Sequence, residues 1–279
     1  MRLFFNTRNR RTGERFCRNK IDSSILVRIM DFAEKVEPLR RPSSLRVELT
    51  ESRRLKAGAD ATGGNSKAGM DAAGPAPYCL LIFSGEEEHG FLNAGYAAGQ
   101  IASYLHFLGI TASILPGTAQ WMSQGAAEGE KCAVAVAFGH ADSLAPRGKT
   151  KEKLEHPCIS REYRENWAEE VLDFAKRSYP ACSGRVRMLC KKNCICLMPK
   201  TLSGRKTAVS ELEAGIAAAN IMAAAEELWI DVVPVDTGDP RCLIGLCRRK
   251  DRAGVMKEMR NTFSGGPRKP VLEAAGRVS

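Results

Sequence analysis

Apolar and polar positions along this chain switch between two periods, and the switches mark out elements. Ile25, Ile29, Phe32 and Val36 recur at helical spacing. Asp22, Ser23 and Ser24 precede them as capping residues and Pro38 follows, which predicts a helix over about 22–36. Leu45-Arg46-Val47-Glu48-Leu49 alternates with period two, the mark of a half-buried strand. The wholly apolar run 79–83 predicts a buried strand. A long apolar helix is expected over about 91–108, where Ala94, Ala97, Ala98 and Ala102 permit close approach of another element and Gly109 is a natural stop. A strand over 110–115, a Pro116-Gly117 turn and a strand over 132–138 follow. The later part predicts a helix over about 161–177, strands over 186–190 and 194–198, an Ala-rich helix over about 210–228, and strands over 230–235 and 243–247.

These elements repeat. Asp31-Phe32-Ala33 stands seven residues before Pro38, and Asp173-Phe174-Ala175 stands seven before Pro180. Asn93-Ala94-Gly95-Tyr96-Ala97-Ala98 is answered by Glu213-Ala214-Gly215-Ile216-Ala217-Ala218. The offsets are 142 and 120 residues, and the 22-residue difference falls where the first half carries a Gly/Ala-rich insertion. Each half reads α-β-β-α-β, an α+β pattern with two helices covering one sheet. The division is a first half over 1–150, a second over 151–249 and a C-terminal tail over 250–279. Residues 57–77 cannot bury much apolar surface and are expected to form a mobile loop. From Lys250 onward, Gly, Pro and charge predict a loose arm. Related halves imply a pseudo-dimer within one chain, with the two Ala-rich helices at the seam and a site beside it.

Charge changes this picture at the ends only. Of a net +10, residues 1–56 carry +8 and residues 251–279 carry +3, so everything between carries −1. A basic arm can bind nucleic acid, a membrane surface or a phosphorylated ligand, or simply keep a protein soluble. No zinc-finger spacing and no aromatic RNP-like strand accompanies it. No apolar run approaches the ~18 residues of a membrane span. The ten cysteines follow no signal-peptide pattern, which points to reduced thiols in a cytoplasm-like compartment. Cys190, Cys194 and Cys196 are the tightest cluster, with Cys242 and Cys247 as late candidates for a metal set. The alternative is a strand whose Cys194 and Cys196 share one buried face as free thiols, and no metal site is assigned.

Among residues that could carry chemistry, Arg10-Arg11-Thr12 can hold a phosphate, since Arg offers a planar fork of donors and Thr a hydroxyl. The bland reading is a solvated basic lead-in. Glu86-Glu87-Glu88 with His89 reads as a first-turn charge cluster, and His106 as a packed residue of an apolar helix. Hydrolase and nucleoside-triphosphatase motifs are absent.

Taken in order, Arg-Arg-Thr, a helix, two strands, the Asn-Ala-Gly-Tyr helix, a Pro-Gly turn, a strand ending in Phe138-Gly139 and then basic residues resemble the flavin-dependent nitroreductase family. The likeness is greatest to its subgroup with two nitroreductase-like halves in one chain, over about residues 2–248. The resemblance implies a nitroreductase-like fold and an FMN site at the seam. Arg10, Arg11 and Thr12 match the start of the family's phosphate-binding Arg-Arg-Ser-x-Arg motif. Its last Arg falls on Glu14, with Arg15 one residue late. Leu115, Pro116 and Gly117 occupy the turn whose backbone meets the flavin ring, and Arg147 and Lys149 the basic segment that reaches the phosphate. The Arg147–Lys149 segment also reads as an ordinary solvated linker.

The second half would supply the facing wall through 180–188, including Cys182, Ser183 and Gly184. Of the family's Pro-Ser-x-x-Asn-x-Gln-Pro-Trp motif only Pro180 survives, with Gly184, Val186 and Met188 at the Asn, Gln and Trp positions. The resemblance thus implies an NAD(P)H-dependent, FMN-binding oxidoreductase acting on a small electron-poor acceptor, a monomer acting as a pseudo-dimer, with no side chain required for acid–base catalysis. A catalytically degenerate binding or structural module is the alternative, and nucleic-acid binding through residues 1–56 a weaker one.

Overall fold

The structure is a computed structural model that describes residues 16–17, 19–51, 76–116, 129–141, 160–161, 166–176, 185–191, 193–200 and 206–257. The order is α1 (Ser23–Glu34), β1 (Arg46–Glu51), β2 (Tyr78–Ser84), α2 (Gly90–Phe107), β3 (Thr111–Pro116), β4 (Lys131–Gly139), β5 (Ser160–Arg161), α3 (Asn166–Lys176), β6 (Val186–Lys191), β7 (Cys194–Pro199), α4 (Ala208–Glu227), β8 (Val232–Val235) and β9 (Ile244–Arg248). Every element read from periodicity is present, with ends shifted by a few residues. Asp22 caps α1 by accepting from Ser24 N–H at 2.8 Å. Thr207 and Ser210 form a reciprocal capping box at α4.

The strands form two sheets. The first runs β1-β2-β4-β3 and is antiparallel throughout. The second runs β5-β6-β7-β9-β8, with only the short β5 parallel to its neighbour. The succession α-β-β-α-β-β is the same in both halves, and β6-β7-β9-β8 repeats the order β1-β2-β4-β3. This corrects the α-β-β-α-β reading by one strand per half. The last strand of each, β4 or β9, is inserted inside the sheet rather than added at its edge.

One face of each sheet carries its helices. Tyr78, Leu80, Ile82, Val134, Val136 and Phe138 pack against α1 and α2, and Val186, Met188, Ile195, Leu197, Ile244 and Leu246 against α3 and α4. The opposite faces are also buried, so β2, β4 and β7 read as near-continuous apolar runs. Cys194 and Cys196 do share one of these faces, joined by Cys247, while Cys190 lies on the other. Burial pushes the Cys79 thiol up to about 12 and those of Cys132 and Cys247 to about 11.

Two expectations change. Residues 249–257 are not a loose arm: a 3-10 turn and a helical turn run on from β9, and Val255 is buried against Cys194, Cys196 and Val233. One apolar residue docked on the sheet outweighs the polar composition around it. The second concerns α4, which spans 20 residues and is apolar enough to cross a bilayer, yet 72% of that window is buried inside the protein. A helix apolar all round belongs in a core that surrounds it, and here α2 and both sheets' cores supply one.

Candidate functional site

The seam between the halves is the crossing of α2 and α4. A Cβ at Gly95 would strike the carbonyl oxygen of Leu212, and a Cβ at Gly215 would strike that of Leu92. One turn on, a Cβ at Gly99 would come 2.7 Å from that of Ala219. Contacts are exchanged in the same way: Leu92 and Tyr96 are buried in the second half's core, Leu212 and Ile216 in the first's. In each pair the residue numbers differ by 120. Residue i meeting j while j's counterpart meets i's is the pattern of an isologous interface.

The first residue of each repeated motif has a polar task at this seam. Asn93, fully buried, accepts from the Arg40 N–H and donates to the Arg40 carbonyl, both at 2.9 Å. Glu213, also buried, accepts from the Arg185 N–H at 3.1 Å. Arg40 follows Pro38 and Arg185 follows Pro180, so each motif tethers the segment that leaves the preceding helix. Arg40 then crosses to the other half, where Nη2 donates to the Val235 carbonyl at 3.0 Å. Sequence reading placed these motifs on helices but missed the tethers. The signal was present in the polar residue that opens an otherwise apolar motif.

On the face of the first sheet away from α1 and α2, three anchors converge. Phe16 bridges Ala141, and the Cys17 N–H donates to the His140 carbonyl at 2.9 Å. The Phe16 side chain is buried with Ala76 and Ala137, and Leu115 packs against them. Leu115 lies opposite Ala135 in the β3–β4 ladder, and Pro116 opposite Val134. The chain just after Arg15, the end of β3 and the chain just after β4 therefore meet on one face. Arg10, Arg11, Thr12, Arg15, Gly117, Arg147, Lys149, Cys182, Ser183 and Gly184 lie outside the described residues, as do residues 57–75 of the Gly/Ala-rich stretch. Val186 and Met188, at the family's Gln and Trp positions, turn into the second half's core.

The other polar residues singled out have ordinary roles. His89 is the N-cap of α2 and makes no side-chain cap bond. Burial holds its pKa below the usual imidazole value, Glu88 and Asp236 oppose this, and Arg40 and Lys206 add to it. Glu86 pairs with Lys131 at 3.2 Å in an exposed bridge. The His106 Nδ1 lies 2.5 Å from the Ala102 carbonyl one turn back, as befits a packed helix residue.

Among solved structures, the chain is similar to a candidate nitroreductase from Thermotoga maritima at 13% identity and a TM-score of 0.53, over 89% of this chain and 93% of that one. The chain has a nitroreductase-like fold. Weaker likenesses include a nitroreductase family protein from Clostridium novyi NT (16% identity, TM-score 0.43, 51% of this chain and 87% of that one). Another is a nitroreductase with bound FMN from Bacteroides fragilis (13% identity, TM-score 0.42, 52% of this chain and 91% of that one). No family model and no curated protein matches the sequence. Within the nitroreductase-like fold, the convergence of Phe16, Leu115 and Ala141 brings the flanks of the first half's expected cofactor segments together.

Proposed function

We propose that the chain is an FMN-binding, NAD(P)H-dependent oxidoreductase of nitroreductase type, built from two pseudo-symmetric halves that form an intrachain pseudo-dimer. The observation that carries this reading is the convergence of the three anchors on the face of the first sheet away from α2, and the reciprocal contacts of the α2–α4 crossing support the two-half arrangement. Arg10, Arg11 and Arg147 would hold the phosphate, Thr12, Arg15 and Lys149 would support it, and the backbone at Leu115, Pro116 and Gly117 would face the ring. Cys182, Ser183 and Gly184 would form the opposite wall. The described residues supply apolar anchorage here, in Phe16, Leu115 and Ala137, and the charged donors come from the flanking segments. The flavin, when bound, supplies the redox chemistry between a nicotinamide donor and a small electron-poor acceptor. The chain's part is to bind it, orient it and exclude water. The buried thiols support a reducing, cytoplasm-like setting.

The test is spectroscopic. The purified chain should be yellow, or should quench the fluorescence of added FMN at one flavin per chain, and NADPH or NADH should bleach the bound flavin. A second reading, a degenerate binding or structural module with the same fold, is favoured by Val186 and Met188, which carry no amide or indole and pack into the core. A colourless protein that leaves FMN fluorescence unchanged would establish that second reading. Nucleic-acid binding by the basic N-terminus would weaken steeply between low and moderate salt.

A further inference from the structure

Towards the C-terminal ends of α2 and α4 the seam holds a cavity of about 440 Å³. Ala219 and Ala223 leave room on the α4 side, and Met222 and Ile230 add apolar walls. A concave, mostly apolar space of this size with a few polar groups is the usual form of a small-molecule site. None of its residues is among those expected to hold flavin.

The α2 wall carries a polar pair. Tyr96 and Gln100 both line the cavity, and Gln100 Nε2 donates to the Tyr96 hydroxyl at 2.7 Å. Tyr96 is only 7% exposed. In this arrangement its own proton has no acceptor among the described residues, and Gln100 Oε1 has no donor. Turning the Gln100 amide over exchanges the roles, so that the phenol donates to Oε1 while the phenol oxygen and Nε2 are left over. In both orientations one donor and one acceptor stand on adjacent groups at the wall.

The helix crossing does not require this pair. The positions 120 residues later hold Ile216 and Asn220, and Ile216 packs into the first half's core without any hydroxyl. A buried donor that packing does not need still has to be satisfied. The charges around it point to a neutral partner. Asp231 at the rim is already paired with Arg249 at 2.6 Å. Burial keeps the Tyr96 phenol protonated, the Gln100 bond opposes this, and the charges of Glu226 and Glu37 reinforce it. The negative charge of Glu226 disfavours an anion, and apolar walls disfavour an unpaired charge of either sign.

We propose that this cavity binds a neutral, planar ring compound with a lactam edge, in which a carbonyl and an N–H lie on the same side. Tyr96 and Gln100 take that edge as paired donor and acceptor, and Met222, Ala223 and Ile230 hold the ring. An ester or an extended secondary amide of similar size satisfies only one of the two groups, so the pair selects the lactam. The proposal does not rest on the flavin reading, and its test needs no flavin.

The test is calorimetric titration of the full chain with the bicyclic lactam carbostyril. N-methylcarbostyril, which keeps the rings and the carbonyl but lacks the N–H, is the control. Saturable binding at one site per chain is expected, with the N-methyl compound about tenfold weaker or more. Tyr96→Phe and Gln100→Leu should each weaken carbostyril binding about tenfold and leave the two compounds within about threefold of each other. Ala223→Phe should fill the space and abolish binding while the urea midpoint holds, which separates a lost site from a lost fold. No saturable binding, equal affinity for the two compounds, unchanged affinity in both Tyr96→Phe and Gln100→Leu, or full binding by Ala223→Phe would each overturn the assignment.

Discussion

The crossing of α2 and α4 and the ends of the same two helices obey different rules. At the crossing the two helices correspond position for position: Gly95 answers Gly215, and Leu92 with Tyr96 answers Leu212 with Ile216. At the ends they diverge, with Gly109 against Trp229 in the same backbone conformation. The crossing tolerates no side chain because each backbone touches the other. The ends face solvent, so a change there costs only local backbone energy. The two helices correspond where their backbones meet and differ where water is the neighbour.

This contrast can be broken or sharpened by substitution. Gly95→Ala and Gly215→Ala should each cost about 3 kcal/mol or more, because the clash is with a carbonyl oxygen that cannot rotate away. Urea midpoints should fall alike in both variants, and a tolerated alanine at either would break the claim of a reciprocal crossing. Arg11→Ala should weaken FMN binding by on the order of 1.5–3 kcal/mol through loss of a charge-assisted bond, read by fluorescence titration, with folding unchanged. Asn93→Ala leaves the Arg40 N–H and carbonyl without their buried partner, and a cost of about 2 kcal/mol in thermal or urea unfolding is expected. Gly109→Ala should cost about 1 kcal/mol, since φ 74° disfavours any Cβ although nothing stands near it.

The smallest effect at neutral pH concerns the thiols of the outer sheet faces. Their raised pKa values mean that the folded state favours the protonated thiol. Stability from this source is full below the ordinary thiol value near 9 and is lost as pH rises through about 11–12. A flat unfolding midpoint up to about pH 9 followed by a decline is expected, with slow alkylation of Cys79 and Cys132 throughout the flat region.

Much of the fold was legible in the chain. Helix and strand positions followed from periodicity, because Ile25, Ile29 and Phe32 or the run 79–83 have one good solution each. The repeated motifs pointed to α2 and α4 as the seam. The insertion of β4 and β9 inside their sheets was not legible, since strand order is set by long-range pairing that leaves no mark on the strand itself. Nor was the docking of Val255, where local composition argued for a loose arm. The proposed flavin site rests on segments read from the chain, Arg10-Arg11-Thr12 and Leu115-Pro116-Gly117, of which Leu115 and Pro116 lie among the described residues. The anchor Phe16 was not legible, since one aromatic in a basic lead-in carries no period.

By itself, the sequence determined the elements, the two-part succession and the small residues that let α2 and α4 approach. These depend on neighbours a few positions away, which periodicity and capping record. Only the tertiary structure decided that Gly95 and Gly215 each meet the backbone of the opposite helix, that Asn93 and Glu213 tether Arg40 and Arg185, and that Trp229 stands in a glycine's conformation at the end of α4. Those facts join residues far apart in the chain, and the energies that select them, close packing and buried hydrogen bonds, exist only once the halves have come together.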